Sequence, residues 1–328
     1  MTGFPFGISF DGFIPVRDAV ALAQQAESFG ARSFWIAEHL GFREAIVTST
    51  AIALGTKHAM VFPTALSPYL RHPMPTAMAL SSLAELVPGR CGVAVGVGNP
   101  MFLRESGLAV EKPVKAIRDY VEALRGLISG EATHLEGLTF ALKGARISFV
   151  PEHLPPVYLA PMGPQMLKLS GAIADGLVLS AGLSLDFIRH SIGIAAEGAT
   201  ASGKNPADIR KTAYVYFIVG GEGAEQRLKI RQKLAFLFRN ENLRENIKAS
   251  GLPIDHDAII AAVAERNMDR ALELVPEEAA EAFAIVGSVA ECKKQVQRYL
   301  DAGLDEIILS LVGTPADKVR SLSVLGEI

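Results

Sequence analysis

Apolar stretches of strand length alternate, from one end of the chain to the other, with longer segments in which apolar residues recur every three or four positions. The first kind comprises Phe6–Phe10, Ser33–Glu38, Ala59–Leu66, Cys91–Val97, Val157–Ala160, Gly176–Ala181, Thr212–Val219 and Glu306–Val312. Helical period marks Val16–Phe29, Ala45–Gly55, Pro75–Leu86, Lys112–Ile128, Pro164–Ala174, Leu185–Ala201, a long stretch after Gly223, and Ala316–Leu325. The strands are apolar nearly throughout instead of alternating, which is how strands read when helices cover both faces of a parallel sheet. Eight βα units in succession predict closure. A (β/α)8 TIM barrel leaves no sheet edge and uses the last helix as its eighth unit. An open doubly wound sheet is the alternative, but the turn after the first strand, Asp11 to Pro15, lacks the glycine triplet expected where a helix opens on a pyrophosphate.

Two places break the rhythm. Short alternating runs around Gly137 and Gly144 predict a β-hairpin inserted at about 131–156, ahead of the fifth strand. Charged, helix-prone sequence at about 223–288 predicts a helical insertion with no strand before Glu306. Such insertions in a barrel often cap the end that carries the site, though plain surface elaboration fits the sequence as well. The expected organisation is one barrel domain over 1–328.

Composition narrows the partners. The chain has 328 residues, 49% of them hydrophobic and 20% charged, enough to bury a large core. Its formal charge of −3 has no like-charge blocks behind it, so nucleic acid and anionic membrane surfaces are not expected partners. Neither a leader pattern nor an apolar run of membrane-spanning length is present, and the expected compartment is the cytoplasm. Cys91 and Cys292 stand far apart and suggest buried thiols, not a disulfide framework. A small organic molecule is the expected partner.

In a closed barrel the loops after the strand ends surround one mouth. Glu38 and His39 end the second strand there, and an imidazole suits proton transfer near neutrality. Other strand ends add Asp11, then Ser67, Tyr69, Arg71 and His72, then Arg104 and Glu105. Gly96 and Gly98 precede Asn99 and Pro100 where a dinucleotide fingerprint would open a helix, so close approach of backbone to a flat ligand explains them more economically. After the fifth strand, Ala160, Pro161, Met162, Gly163, Pro164 and Gln165 lead into a helix whose free amides could hold a phosphate, or simply make a tight turn. His58, His134, His153, His190 and His256 show no ligand spacing, and no metal site is expected.

Taken in order, several segments resemble the bacterial-luciferase-like superfamily of flavin and deazaflavin enzymes, in particular its coenzyme F420-dependent methylene-tetrahydromethanopterin reductase branch. They are FWIAEH at 34–39, STAIALGTKH at 49–58, PYLRHP at 68–73, EKPVKAIRDYVEALRGLISGE at 111–131, GPQMLKLSGAIADG at 163–176 and VGSVAECKKQVQRYLDAGLDEIIL at 286–309. The resemblance implies a TIM barrel that binds FMN or F420 at its mouth and passes hydride between the reduced ring and an organic substrate, as a reductase or a monooxygenase. It implies a non-proline cis peptide within Thr64–Ser67, so that Thr64, Ala65 and Leu66 back the ring together with Gly98 and Asn99. It also implies that Ala160 to Gln165 hold the phosphate by main chain, that His39 handles protons with Glu38 beside it, and that the protein is a homodimer. Glu38 stands where F420 members usually carry Asp, as in many FMN-dependent members, which leaves the cofactor open between the two. The acid often found after the strand-4 glycines is displaced to Glu105. A non-catalytic ligand-binding barrel and a cofactor-free barrel lyase are the competing classes.

Overall fold

The alternation seen in the sequence is carried into the computed structural model, which describes residues 3–220 and 223–328; Met1 and Thr2, which open the expected domain, lie outside the described residues. The first elements are β1 (Phe6–Phe10), α1 (Val16–Ser28), β2 (Ser33–Ala37), α2 (Ala45–Gly55), β3 (Met60–Thr64), α3 (Pro73–Leu86), β4 (Val93–Val95), α4 (Pro100–Glu105) and α5 (Pro113–Ile128). They are followed by β5 (Thr133–Glu136), β6 (Ala141–Ala145), β7 (Val157–Leu159), α6 (Pro164–Ile173), β8 (Gly176–Leu179) and α7 (Leu185–Ala201). The rest comprises β9 (Arg210–Val219), α8 (Gly223–Leu237), α9 (Arg244–Ala249), α10 (His256–Ala264), α11 (Met268–Glu273), α12 (Ala279–Phe283), β10 (Ala284–Gly287), α13 (Val289–Asp301), β11 (Glu306–Leu311) and α14 (Pro315–Ser323). The main sheet runs β3-β2-β1-β11-β9-β8-β7-β4, and isolated parallel bridges at Val61–Cys91 and Leu66–Val95 return β4 to β3. This is the nearly closed parallel barrel that the eight units predict.

Two compact units divide the described residues, one of 7–178 with 194–210 and one of 3–6, 179–193, 211–220 and 223–328. In the first, Gly7 to Phe10 of β1 lie opposite Ser33 to Ile36 of β2, and Ser33 to Ala37 lie opposite Met60 to Thr64 of β3. Val93 to Val95 of β4 lie opposite Val157 to Leu159 of β7. Trp35 stacks on Phe62 with centroids 4.1 Å apart and planes 4° apart, and Tyr158 meets Phe62 at 5.1 Å. Two glycines make room for these rings. A Cβ on Gly92 would lie 2.2 Å from Phe62 Cε1, and one on Gly176 would lie 2.5 Å from Tyr158 Cε2. The rings are therefore packed filling, as barrel interiors generally are.

The expected hairpin is present as β5 and β6, paired antiparallel with Glu136 opposite Ala141. Buried Asp119 of α5 accepts a bond of 2.8 Å from the Leu138 amide in the hairpin turn. Both cysteines are buried and free, and burial pushes each thiol up to about 12.

In the second unit α8 to α12 form the expected helical insertion, tied down by fully buried Asn246. Its Oδ1 accepts from the Ser184 amide at 2.8 Å and its Nδ2 donates to the Gly182 carbonyl at 2.8 Å. One expectation is corrected here. A strand, β10, does precede Glu306, pairing in parallel with β9 from Ala284 opposite Tyr216 to Gly287 opposite Val219. Its four apolar residues follow α12 without a break, and so short a run has no period by which strand could be told from helix.

Helices α6 and α7 touch backbone to backbone within the first unit. A Cβ on Gly171 would fall 1.8 Å from the Ala195 carbonyl oxygen, and one on Gly198 would fall 2.0 Å from that of Lys168. Gly171→Ala must force the helices apart, and we expect a loss of about 1–3 kcal/mol despite the better helix propensity of alanine, read as a lower denaturant midpoint at unchanged slope.

Candidate active site

Register brings the site together. Because β1, β2 and β3 pair in parallel, with Phe10 opposite Ile36 and Ala37 opposite Thr64, Glu38 and Ala65 leave the sheet at one level and Asp11 leaves it one residue earlier. The Glu38 amide donates to the Thr64 carbonyl at 2.6 Å, and the next peptide of that strand, Thr64–Ala65, is cis, within the expected span Thr64–Ser67. His39 Nδ1 lies 3.0 Å from the Asp11 carbonyl oxygen. A carbonyl can only accept, so Nδ1 carries the hydrogen and Nε2 is the nitrogen left to exchange a proton. Phe13, Phe42 and Phe102 stand around the half-buried imidazole with centroids 6.0, 6.5 and 5.9 Å from it. Arg43 donates to the carbonyl of Phe13 at 2.9 Å, which clasps the loop after β1 to the loop after β2.

Glu38 is occupied differently. Arg71 Nε donates to its Oε1 at 2.7 Å, and Arg71 Nη2 donates to the same oxygen and to Glu44 Oε1. The Glu38 side chain is only 8% exposed and that of Arg71 27%. Burial pushes the Glu38 carboxyl above the ordinary range, against the pull of the Arg71 guanidinium. Burial works against the Arg71 charge as well, but its two carboxylate partners outweigh it and hold its pKa above normal. Glu38 Oε2 is buried without a hydrogen-bond partner, so the carboxylate depends on Arg71. Glu44 also caps α2, its Oε2 accepting from the Val47 amide at 2.6 Å.

On the neighbouring strands, Ser67 Oγ donates to the Val97 carbonyl at 2.7 Å and joins the ends of β3 and β4. A Cβ on Gly96 would come 2.9 Å from that of Ala65 and 3.3 Å from that of Ala160. Gly98 has φ +93°, a conformation that favours glycine. Leu66 is buried, bridged to Val95, while Asn99 spends its side chain on capping α4, accepting from the Met101 amide at 3.0 Å. Ala160 follows β7, Pro161 is buried, and Met162, Gly163, Pro164 and Gln165 are exposed. Gly163, with φ +78° and nothing within 4 Å of its Cβ position, is the N-cap of α6 and offers no side-chain cap. The amides of the first turn are therefore open to a ligand.

The structure thus gathers Asp11, Glu38, His39, Ala65, Arg71, Gly96 and Ala160 around adjoining strand ends. Glu105 is elsewhere in character: it ends α4, exposed, with no hydrogen bond or ion pair among the described residues. Sequence reasoning passed over Glu44 and the three phenylalanines. An acid just before a helical run is a capping signal and would have found Glu44.

A family model described as luciferase-like monooxygenase matches residues 5–306. The chain is 26% identical over 325 residues to 5,10-methylenetetrahydromethanopterin reductase of Methanolobus tindarius, covering 98% of each. It is also 26% identical to the F420-dependent glucose-6-phosphate dehydrogenase of Mycolicibacterium gilvum, over 93% of this chain and 90% of that one. Among solved structures, the coenzyme F420-dependent tetrahydromethanopterin reductase of Methanopyrus kandleri superposes with a TM-score of 0.87 at 23% identity, covering 99% and 97% of the two chains.

Arg71→Met leaves Glu38 buried without a partner, and we expect a loss of about 3–5 kcal/mol at neutral pH. The carboxyl, no longer restrained, then titrates still higher in the folded protein. The native state keeps a proton that the unfolded chain has released, so the variant loses stability as pH rises from the ordinary glutamate range through that raised value. Denaturant titrations from pH 4 to 8 should show the deficit shrinking toward acid.

Proposed function

The chain belongs to the luciferase-like monooxygenase family, and from that membership we propose that it is an F420-dependent reductase or dehydrogenase acting on a small organic substrate. The observation that carries this reading is the His39 imidazole, fixed by the Asp11 carbonyl with Nε2 left free at the strand ends that Ala65, Gly96 and Ala160 adjoin. Relatives named for methylenetetrahydromethanopterin reduction and for F420-dependent glucose-6-phosphate oxidation support the choice of cofactor.

The residues present fit such a group. Gly96 leaves backbone where any side chain would meet Ala65 and Ala160, which suits a flat ring, and Gly163 leaves the uncapped start of α6 open to a phosphate. The deazaflavin ring, when bound, supplies the hydride chemistry, which is the cofactor's own. His39 Nε2 holds or delivers the proton that accompanies it. Glu38, clamped by Arg71 and bonded through its amide to Thr64, assists by fixing the strand end on which His39 stands. Phe13, Phe42 and Phe102 give the imidazole apolar neighbours. Thr64, Ala65, Leu66, Gly98 and Asn99 would back the ring, and Ala160 to Gln165 would hold the phosphate. Glu105 remains on the solvent side in this reading and has no step.

We further take the chain to be a single barrel domain that works in the cytoplasm as a homodimer. Among the described residues no helix is long and apolar enough to cross a membrane. Exposed Val47 and Leu54 on α2 and Met78 and Leu86 on α3 offer apolar surface for a second copy, which sedimentation checks.

Two experiments test the function. Titrating the protein with F420 and with FMN, followed by absorbance and fluorescence, should give tight binding of F420 and of FMN at most weakly; preference for FMN, or a complex that no donor reduces and no acceptor oxidises, would overturn it. His39→Ala should bind the cofactor as before and lose about 100-fold or more in kcat. Full turnover by that variant removes the role given to His39.

A further inference from the structure

Tyr216 is enclosed along its strand and yet open on its face. At this position β9 is paired on both edges, with Ala284 of β10 on one and Ser310 of β11 on the other. Val215 and Phe217 turn to the opposite face of the strand and are 2% and 0% exposed, whereas Tyr216 and Ser310 are half-buried. A residue paired on both edges keeps such exposure only where its own face borders open space. The Tyr216 hydroxyl has no hydrogen-bond partner among the described residues; burial pushes it up to about 12, and the Arg239 guanidinium draws it down. Both Tyr216 and Ser310 stand in the C-terminal halves of their strands, the end at which parallel barrels carry their sites.

Arg239 follows α8, in the turn that leads to α9. That turn is held from several sides. Buried His256 donates from Nε2 to the Phe238 carbonyl at 2.7 Å, and the Asn240 amide donates to the Leu237 carbonyl at 3.1 Å. Leu237 packs so closely on the loop after β8 that a Cβ on Gly182 would lie 2.2 Å from its Cδ2. The Arg239 guanidinium lies over the Phe236 ring, 3.6 Å from its centroid, and Nη1 donates to the Phe236 carbonyl at 2.6 Å. Arg227 and Arg231 of α8 and Arg244 of α9 each meet a carboxylate. Arg239 meets none among the described residues, although it is half-buried and burial pulls its pKa below the ordinary arginine value, with Tyr216 working the other way. A partly buried cation without a counter-ion is unfavourable, and an anion carried in by a ligand relieves it.

We propose that Arg239 and Tyr216 form a subsite for a carboxylate on the substrate, the Nε and Nη2 edge of the guanidinium taking the two oxygens while the Tyr216 hydroxyl donates to the same group. The inference rests on the function proposed above, which calls for a small organic substrate, and it names the class: an organic acid. A carboxylate fits better than a rounder anion because Nη1 is spent on Phe236 and one face of the guanidinium is covered by that ring, which leaves a single planar edge. Phe236, 51% exposed, offers apolar surface to the body of the acid.

The test titrates the whole protein by calorimetry at low salt with benzoate, with its neutral isostere benzamide and with inorganic phosphate. Benzoate should bind, and benzamide and phosphate should each bind at least about tenfold more weakly. Arg239→Met should weaken benzoate about tenfold or more and Tyr216→Phe about threefold to tenfold, with benzamide unchanged in both. Melting curves report the fold; where the methionine variant disturbs it, Arg239→Lys, which keeps the charge without the planar edge, replaces it and should still weaken benzoate about threefold. No binding of benzoate, equal binding of benzamide, tighter binding of phosphate, or unchanged benzoate affinity in the arginine variants overturns the subsite and leaves the function intact. F420 titrated in the presence of saturating benzoate should bind as it does alone, and displacement of F420 overturns the assignment to substrate. Failure of F420 to bind the wild type while benzoate still depends on Arg239 overturns the function and the substrate role, and leaves a carboxylate site.

Discussion

Parallel pairing at equal level is the constraint on which the site depends. It brings the ends of β1, β2 and β3 to within one residue of the same level, so that residues far apart in sequence, Asp11, Glu38 and Ala65, emerge close to one another. A slip of one residue in β2 would exchange inward and outward side chains and break up the Trp35–Phe62 stack, so packing inside the sheet holds the register that the chemistry needs. The proton position on His39 follows from this. Its tautomer is set by a main-chain carbonyl that cannot donate, and that carbonyl is placed by the strand.

Glu38 and His39, adjacent in sequence, are given opposite conditions. The carboxylate is almost wholly buried and takes both its hydrogen bonds from one arginine, whereas the imidazole is half-buried with one nitrogen free. A buried ion pair of this kind adds little net stability over apolar packing but is expensive to break on one side. Its contribution is geometric: Arg71 comes from the loop after β3, and Glu38 and Glu44 stand at the two ends of the loop after β2, so two connections are held by one guanidinium.

Much of this was legible beforehand because the signals are periodic or sharply local. The eight barrel strands, the hairpin and the helical insertion follow from hydrophobic spacing, which burial enforces. Several strand ends were read a residue or two long, as at Met60–Thr64, read on to Leu66, because apolar character continues after ladder pairing stops. β10 escaped because four apolar residues abutting a helix have no period. The partnership of Glu38 with Arg71 and Glu44 escaped because nothing local links positions 38, 44 and 71; both candidates after β3 and β2 were visible, but their meeting is a property of register.

The aromatic filling between β2, β3 and β7 has a practical side. The chain has one tryptophan, Trp35, and it is 1% exposed, flat against Phe62 in the middle of that filling. Its indole is a built-in gauge: emission from a dry, stacked environment lies to the blue of emission in water, so the colour of a single residue records whether the interior of the ring of strands is intact.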